Sequence, residues 1–511
     1  MAGGPVVRSF VSVGLAVVAV LASAGVSLPT GSDPPDPLAE FVEQKPAWAA
    51  CAQELECATV VAPLDYQDPA AGRISLSVSR KKASGVRRGV LVVNPGGPGG
   101  SGLGMPAFFA NSALGRAYDL IGFDPRGVGG STALTCRSVP EIATTDSRPP
   151  DSEFAKWAAE ARAAEEACEQ SGGGIRRFVN TANTARDVDV IRAVLGEQKI
   201  NYLGFSYGTY LGAVYGSLFP QRLDRSVLDS AVHPERLWHG QLKSQAVATR
   251  HNVELWAAWV AQGNGAAKLG ASPADVLATV EKVAARLAVA PVGGHDRTEF
   301  DAAVGVGARF RPLWTDLAAI VSDLDGGADP RRSVELSARM ADSARAELRP
   351  GVYDAVTCEA DWPRDLEGYY EEMRVFRDRY PYGFGVLRAA PTACTFRTFT
   401  PPEPMVALRR DGYPVGVVVQ AEGDTQTQYE SGPAMAARLG DNLITVLDEG
   451  KHGIYGTGNA CVDAAVDRYL VDGVLPGSSH TCPGDPRPDA ARASAGSVES
   501  FLDGIDHGVT R

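Results

Sequence analysis

The sequence lacks the spacings from which metal sites are built. No two of its eight cysteines stand at C-x-x-C spacing, and no two of its seven histidines stand four apart on a helical pattern, which leaves metal binding as a weak rival reading of the cysteines. Basic residues are outnumbered, 49 Lys and Arg against 61 Asp and Glu, for a net charge of −12. A chain so acidic offers no counter-surface to nucleic acid or to an anionic membrane. Long apolar runs are missing as well. The run from Phe10 to Ala22 is shorter than the roughly 20 residues a membrane helix needs. No repeat unit is evident. What remains is a composition of 44% hydrophobic and 22% charged residues over 511 positions, enough apolar material for a large globular core.

The N-terminus reads as a targeting segment. Arg8 precedes the apolar run, and Ala22-Ser23-Ala24 supplies small residues for cleavage near Ala24, so residues 1–24 are expected to be a signal peptide; an uncleaved anchor is the alternative. No cysteine stands near the cleavage site, which argues against a lipoprotein. Export makes an even cysteine count a disulfide framework. Pairing of sequence neighbours is expected: Cys51 with Cys57, Cys136 with Cys168, Cys358 with Cys394, and Cys461 with Cys482.

Residues 25–46, rich in Pro and Asp from Gly31, suit an exposed linker. Short β-rich runs then recur at Val90–Asn94, Leu120–Phe123, Ile200–Gly204, Ser226–Asp229, Val415–Ala421 and Leu443–Leu447, with helical patterns at Ser152–Gln170 and Thr184–Leu195 between them. Such alternation predicts an α/β fold with a mostly parallel sheet covered on both faces. It breaks at 233–404, where helical patterns dominate (Gln245–Val260, Pro273–Leu287, Ser333–Leu348) and five of the seven tryptophans lie. We read 233–404 as a helical cap inserted between core segments 47–232 and 405–482, the alternative being a separate helical domain with no part in catalysis. Residues 483–511 are expected to form a loosely packed tail.

Gly204-Phe205-Ser206-Tyr207-Gly208 follows a β-rich run and precedes the helical stretch Thr209–Phe219, the setting of a serine exposed on a sharp strand-to-helix turn. With 56 glycines, a chance G-x-S-x-G is expected about 0.4 times, so the context carries the reading. A serine hydroxyl needs a base, and the base an acid, in the order Ser, acid, His along the chain. His452 follows the strand-like Leu443–Leu447, whereas His480 sits beside Cys482 and His507 in the tail. Asp424 follows the apolar run ending at Ala421; Asp441 precedes its strand and Asp448 stands too close to His452 to turn back to its ring. Thr425 or Thr427 is placed to hydrogen-bond Asp424. Oxyanion donors are expected from the backbones of Gly97, in the glycine-rich loop Asn94–Gly102, and Tyr207. That loop lacks the Gly-Lys-Ser/Thr ending of a phosphate cradle, and no cofactor is expected.

The segments N-P-G-G-P-G-G-S-G at Asn94–Gly102, F-D-P-R-G-V-G-G-S at Phe123–Ser131, G-F-S-Y-G-T at Gly204–Thr209, E-G-D-x-x-T at Glu422–Thr427 and G-K-H-G at Gly450–Gly453 resemble those of the secreted tripeptidyl aminopeptidases of actinobacteria. These are relatives of the prolyl aminopeptidases within the α/β-hydrolase fold. The resemblance spans about Ala47 to Cys482 and implies Ser206, Asp424 and His452 as nucleophile, acid and base, with Asp124 and Arg126 bracing the loop near the oxyanion site. Pro95 stands where prolyl aminopeptidases carry a histidine, so strict release of single prolines is not implied. The expected activity is removal of short peptides from free N-termini outside the cell, with peptides as substrates and no stable membrane partner. A lipase or carboxylesterase with the same triad is the alternative, and a non-catalytic binding protein a third. An aminopeptidase must also hold an ammonium group. Glu359 and Asp361 beside Trp362, and secondly Glu422, are the acids expected to do so.

Overall fold

The computed structural model describes residues 1, 3–4, 36–136, 146–263, 268–326, 331–346 and 351–490. The expected signal segment therefore lies almost wholly outside the described residues. Within them, no helix is long and apolar enough to cross a membrane.

Among the described residues ten strands form one sheet: β1 (Ala49–Ala50), β2 (Glu56–Pro63), β3 (Arg73–Lys81), β4 (Val90–Asn94), β5 (Asp119–Phe123), β6 (Ile200–Phe205), β7 (Leu223–Asp229), β8 (Val417–Ala421), β9 (Asn442–Leu447) and β10 (Ser479–Pro483). Their spatial order is β1-β2-β3-β5-β4-β6-β7-β8-β9-β10. Pairing is antiparallel from β1 to β5 and parallel from there to β10, so the sheet is mostly parallel.

The central strands are apolar on both faces because both faces are covered. Every residue of β4 is buried. Val90 and Val92 enter a core beneath the helices Thr181–Val194 and Tyr207–Leu218. Leu91 and Val93 enter the opposite core, with Phe109, Tyr455 and Val466. Register aligns the carboxyl ends: Asn94 pairs with Gly204, Phe205 with Asp229, Asp229 with Val419, and Ala421 with Val446. The loops leaving β4, β6, β7, β8 and β9 thus emerge at one edge, where ligands bind in open α/β sheets.

Between β7 and β8 the chain forms successive helices, among them His239–Gln262, Pro273–Val289, Arg297–Arg309, Trp314–Gly326, Arg331–Ala346 and Leu366–Arg379. Ser272 with Asp275, and Asp296 with Glu299, form capping boxes at two of their starts. Trp256, Val280, Phe300, Trp314 and Leu317 give this layer a core of its own. It is not self-contained: Trp238, Val356, Cys358 and Trp362 join the core of the sheet. In the other direction, Phe154 and Trp157 from before the insert pack with Met373 and Phe376.

Two expectations need correction. The linker does not extend to residue 46, because Phe41 of the short helix Ala39–Val42 is buried and the Gln44 side chain bonds both backbone groups of Val61. The start of the tail is fixed rather than loose: Asp485 N–H donates to Glu449 and Trp259 Nε1 donates to Pro488 O at 2.9 Å. Residues 491–511 lie outside the described residues. The disulfides join Cys51 to Cys57, Cys136 to Cys168, Cys358 to Cys394, and Cys461 to Cys482.

Candidate active site

Ser206 stands between β6 and the helix Tyr207–Leu218 with φ 55° and ψ −126°, a backbone conformation that costs a non-glycine residue about 1–3 kcal/mol. The surroundings impose it. A Cβ on Gly204 would lie 2.4 Å from Gly208 O, and one on Gly208 would lie 2.8 Å from Asn94 O, so the turn closes only with glycine at both places. Ser206 N–H donates to Asp229 O at 3.0 Å, and the Thr209 hydroxyl donates to Ser206 O at 2.6 Å. The serine side chain does not cap the helix it precedes, which leaves its hydroxyl for chemistry.

Asp424 and His452 are brought together by the ends of β8 and β9. Asp424 Oδ2 lies 2.8 Å from His452 Nδ1 and accepts from the Thr427 hydroxyl at 2.8 Å; Oδ1 accepts from Gln426 N at 2.8 Å. Thr427, not Thr425, is thus the threonine that holds the acid. Asp424 is fully buried. Burial alone would raise its pKa, but the His452 ring beside it and the hydrogen bonds it accepts hold it below the usual carboxylate value. The insert grips both loops: Asn252 Nδ2 donates to Gly423 O at 3.0 Å and Arg309 Nε to Gly450 O at 2.8 Å.

The glycine-rich loop leaves β4 and lies directly on the elbow. A Cβ on Gly96, which has φ 90°, would meet Phe205 O at 2.3 Å and Ser206 Cβ at 2.9 Å. Asn94 Oδ1 takes the Gly96 N–H at 2.9 Å. Among the described residues the N–H groups of Gly97 and Tyr207 have no partner. Asp124 braces this loop through the Ser101 hydroxyl. Arg126 does not: its guanidinium pairs with Asp187 at 2.6 Å and bonds the carbonyls of Pro63, Leu64 and Phe178, joining β2 to the helix Thr181–Val194.

Two residues that sequence reasoning missed hold the histidine loop. Asp229 Oδ2 accepts from Ile454 N at 2.9 Å and Tyr455 N at 2.7 Å, and the Ser230 hydroxyl accepts from Gly453 N at 2.8 Å. Burial pushes the Asp229 carboxyl up to about 6, against the pull of those N–H groups. The available signal was a Leu-Asp-Ser ending of a strand-like run next to the elbow in the predicted sheet.

The rivals lie elsewhere. Asp448 pairs with Arg311 at 3.0 Å and Asp441 accepts from Gly416 N at 2.7 Å. His480 sits 3.7 Å from Cys461 Sγ; His507 lies outside the described residues. Of the three acids expected to hold an ammonium, Asp361 is fully exposed beside Arg397, and Glu422 is exposed and accepts from Asp448 N. Neither is the desolvated partner the expectation requires. Glu359 differs: it accepts from Thr181 N at 2.8 Å and the Thr181 hydroxyl at 2.7 Å, and that hydroxyl meets Tyr207 OH at 3.0 Å. Burial raises the Glu359 carboxyl to about 7 despite these bonds.

A mostly parallel sheet with a strained elbow serine, an acid and a histidine on loops at one edge defines the class: the chain is an α/β hydrolase. Residues 89–316 match the family model described as alpha/beta hydrolase fold, and residues 380–482 the one described as TAP-like protein. The chain is 36% identical to the tripeptidyl aminopeptidase of Streptomyces lividans over 471 residues, 86% of this chain and 87% of that one. It is 31% identical to the serine protease Hip1 of Mycobacterium tuberculosis, covering 83% and 87%, and 31% identical to the carboxylesterase B of the same organism, covering 87% and 91%. The chain belongs to the tripeptidyl aminopeptidase family and is a serine hydrolase, as its motifs implied.

Proposed function

We propose that the protein is an exported serine exopeptidase that releases short peptides, tripeptides among them, from free N-termini through an acyl-enzyme on Ser206. The observation that carries this reading is the 2.8 Å contact between Asp424 Oδ2 and His452 Nδ1, at the sheet edge where the strained Ser206 also stands, in a chain 36% identical to a tripeptidyl aminopeptidase. In this reading Ser206 Oγ attacks the scissile carbonyl and gives its proton to His452 Nε2. Asp424 holds the ring through Nδ1–H and stabilises the imidazolium. The carbonyl oxygen becomes an oxyanion that accepts from the N–H groups of Gly97 and Tyr207. Collapse breaks the C–N bond as His452 returns the proton to the leaving amine. Water, deprotonated by the same histidine, then hydrolyses the ester. Glu359 holds the substrate's ammonium. Four disulfides support residence in an oxidising compartment, in keeping with export and cleavage near Ala24.

Likeness to a carboxylesterase favours a second reading, acyl-ester hydrolysis by the same residues. Turnover of an unblocked tripeptide anilide against a short acyl ester separates the two. Ser206→Ala tests the nucleophile: it should fold, lose labelling by a serine-reactive phosphonate and lose nearly all turnover of either substrate. Near-normal turnover by that variant overturns the assignment.

A further inference from the structure

The helix Arg297–Arg309 and the segment Tyr382–Ala389 pack glycine against glycine: a Cβ on Gly305 would lie 2.7 Å from Gly383 N. That close approach brings Arg309 and Arg388 to one cleft, lined also by Gln245, Thr249 and Thr425. The cleft borders the loop that carries Asp424. Thr425 follows Asp424 directly. On the other side, Arg388 is within electrostatic reach of Tyr353, whose backbone N–H would lie 3.7 Å from a Cβ on Gly99 in the glycine-rich loop.

The two arginines are not equivalent. Arg309 donates to Gly450 O and acts on Asp424. Arg388 is half-buried yet has neither a hydrogen bond nor an ion pair among the described residues. No carboxylate stands among the described residues that line the cleft. The overall charge of −12 makes an unpaired cation beside the catalytic loops more notable, since acids to neutralise it are plentiful elsewhere. A partly desolvated guanidinium with a planar fork of free donors is matched by a carboxylate, which it can bind through two parallel hydrogen bonds.

We propose that Arg388 is the anchor of a carboxylate subsite in this cleft, recognising an acidic group of the peptide substrate. The inference rests on the exopeptidase reading above for its substrate class. The carboxylate has two sources, an acidic side chain in the substrate or the C-terminal carboxylate of a short peptide, and the chemistry at Arg388 is the same for both.

The test compares matched substrates on the full enzyme. Tripeptide anilides with Glu or Gln at each position in turn probe the side-chain source. Short peptides with free or amidated C-termini probe the other. The wild-type enzyme should prefer the carboxylate member of at least one pair by about tenfold or more in kcat/KM, the scale of a charge-assisted hydrogen bond. The position of that preference names the source. Arg388→Gln should collapse the ratio towards one, and Arg388→Lys should retain part of it. Ratios within one variant cancel any general loss of activity, and Arg388→Lys keeps the test open if Arg388→Gln does not fold. Peptide protection of Ser206 against phosphonate labelling measures the same preference without turnover, so failure of the exopeptidase reading is told apart from failure of the subsite. No preference in any wild-type pair, or a preference that survives undiminished in Arg388→Gln, overturns the proposal.

Discussion

The Asp229 carboxylate holds the amide of Tyr455 at 2.7 Å, three residues past His452 and 226 positions away in sequence. It accepts the neighbouring Ile454 amide with the same oxygen, and Asp229 O takes the Ser206 amide. One residue at the end of β7 therefore ties the Ser206 turn to the His452 loop. Asp229→Ala is expected to lower kcat by roughly 100-fold, the cost of displacing a catalytic group by about an ångström, with KM little moved. Asp229→Asn keeps one acceptor and should fall between. Steady-state kinetics on a tripeptide anilide check this, and an unchanged kcat in Asp229→Ala contradicts it.

His452→Ala is expected to be nearly as damaging as loss of the nucleophile, whereas His480→Ala should leave activity close to normal, because His480 sits beside the Cys461–Cys482 bridge. Phosphonate labelling rates for the two variants decide the matter. An inactive His480→Ala with an active His452→Ala would identify the wrong base.

Much of this arrangement was legible in the sequence, and the parts that were not share a physical reason. Parallel central strands are continuous apolar runs, so Val90–Asn94 stood out. β2 and β3 are antiparallel strands near the edge, and in β3 the exposed Arg73 and Ser75 and half-buried Ser77 alternate with buried Ile74, Leu76 and Val78; no dense apolar run marks it. β10, Ser-His-Thr-Cys-Pro, carries almost no β signal and gains its place by pairing with β9. The gathering of Ser206, Asp424 and His452 at one sheet edge was readable because each follows a strand. Asp229 was not singled out, because its Leu-Asp-Ser strand ending is visible in the sequence but the distant backbone amides it holds are not. Asp361 was overvalued because sequence proximity to Glu359 carries no information about which neighbour is desolvated.

Glu359 predicts a pH dependence of stability. Its folded pKa, about 7, lies above the ordinary value of 4.5, so folding favours its protonated form. The contribution is fully present below pH 4.5 and is lost as pH rises through 7. Glu359→Gln should remove this slope, gaining on the wild type by roughly 2–3 kcal/mol between pH 5 and pH 8. Denaturant titrations at the two pH values measure it. Parallel wild-type and variant curves contradict the burial argument.

All eight cysteines are bridged, so thiol titration of the unreduced protein in denaturant should find none. Reduction should destabilise by on the order of 2–4 kcal/mol per bridge, least for Cys51–Cys57, which closes the shortest loop. Two or more free thiols before reduction contradict this.

Recognition of a free N-terminus by this peptidase is decided by one comparison: kcat/KM for a tripeptide anilide with a free amine against the same substrate N-acetylated. Above pH 7, where Glu359 is ionised, acetylation takes from its carboxylate the ammonium partner proposed above, a loss of roughly 2–5 kcal/mol, or about 30-fold or more in kcat/KM. The free substrate is expected to be preferred by at least that factor. Equal turnover of the two would contradict it and favour an esterase or an endopeptidase.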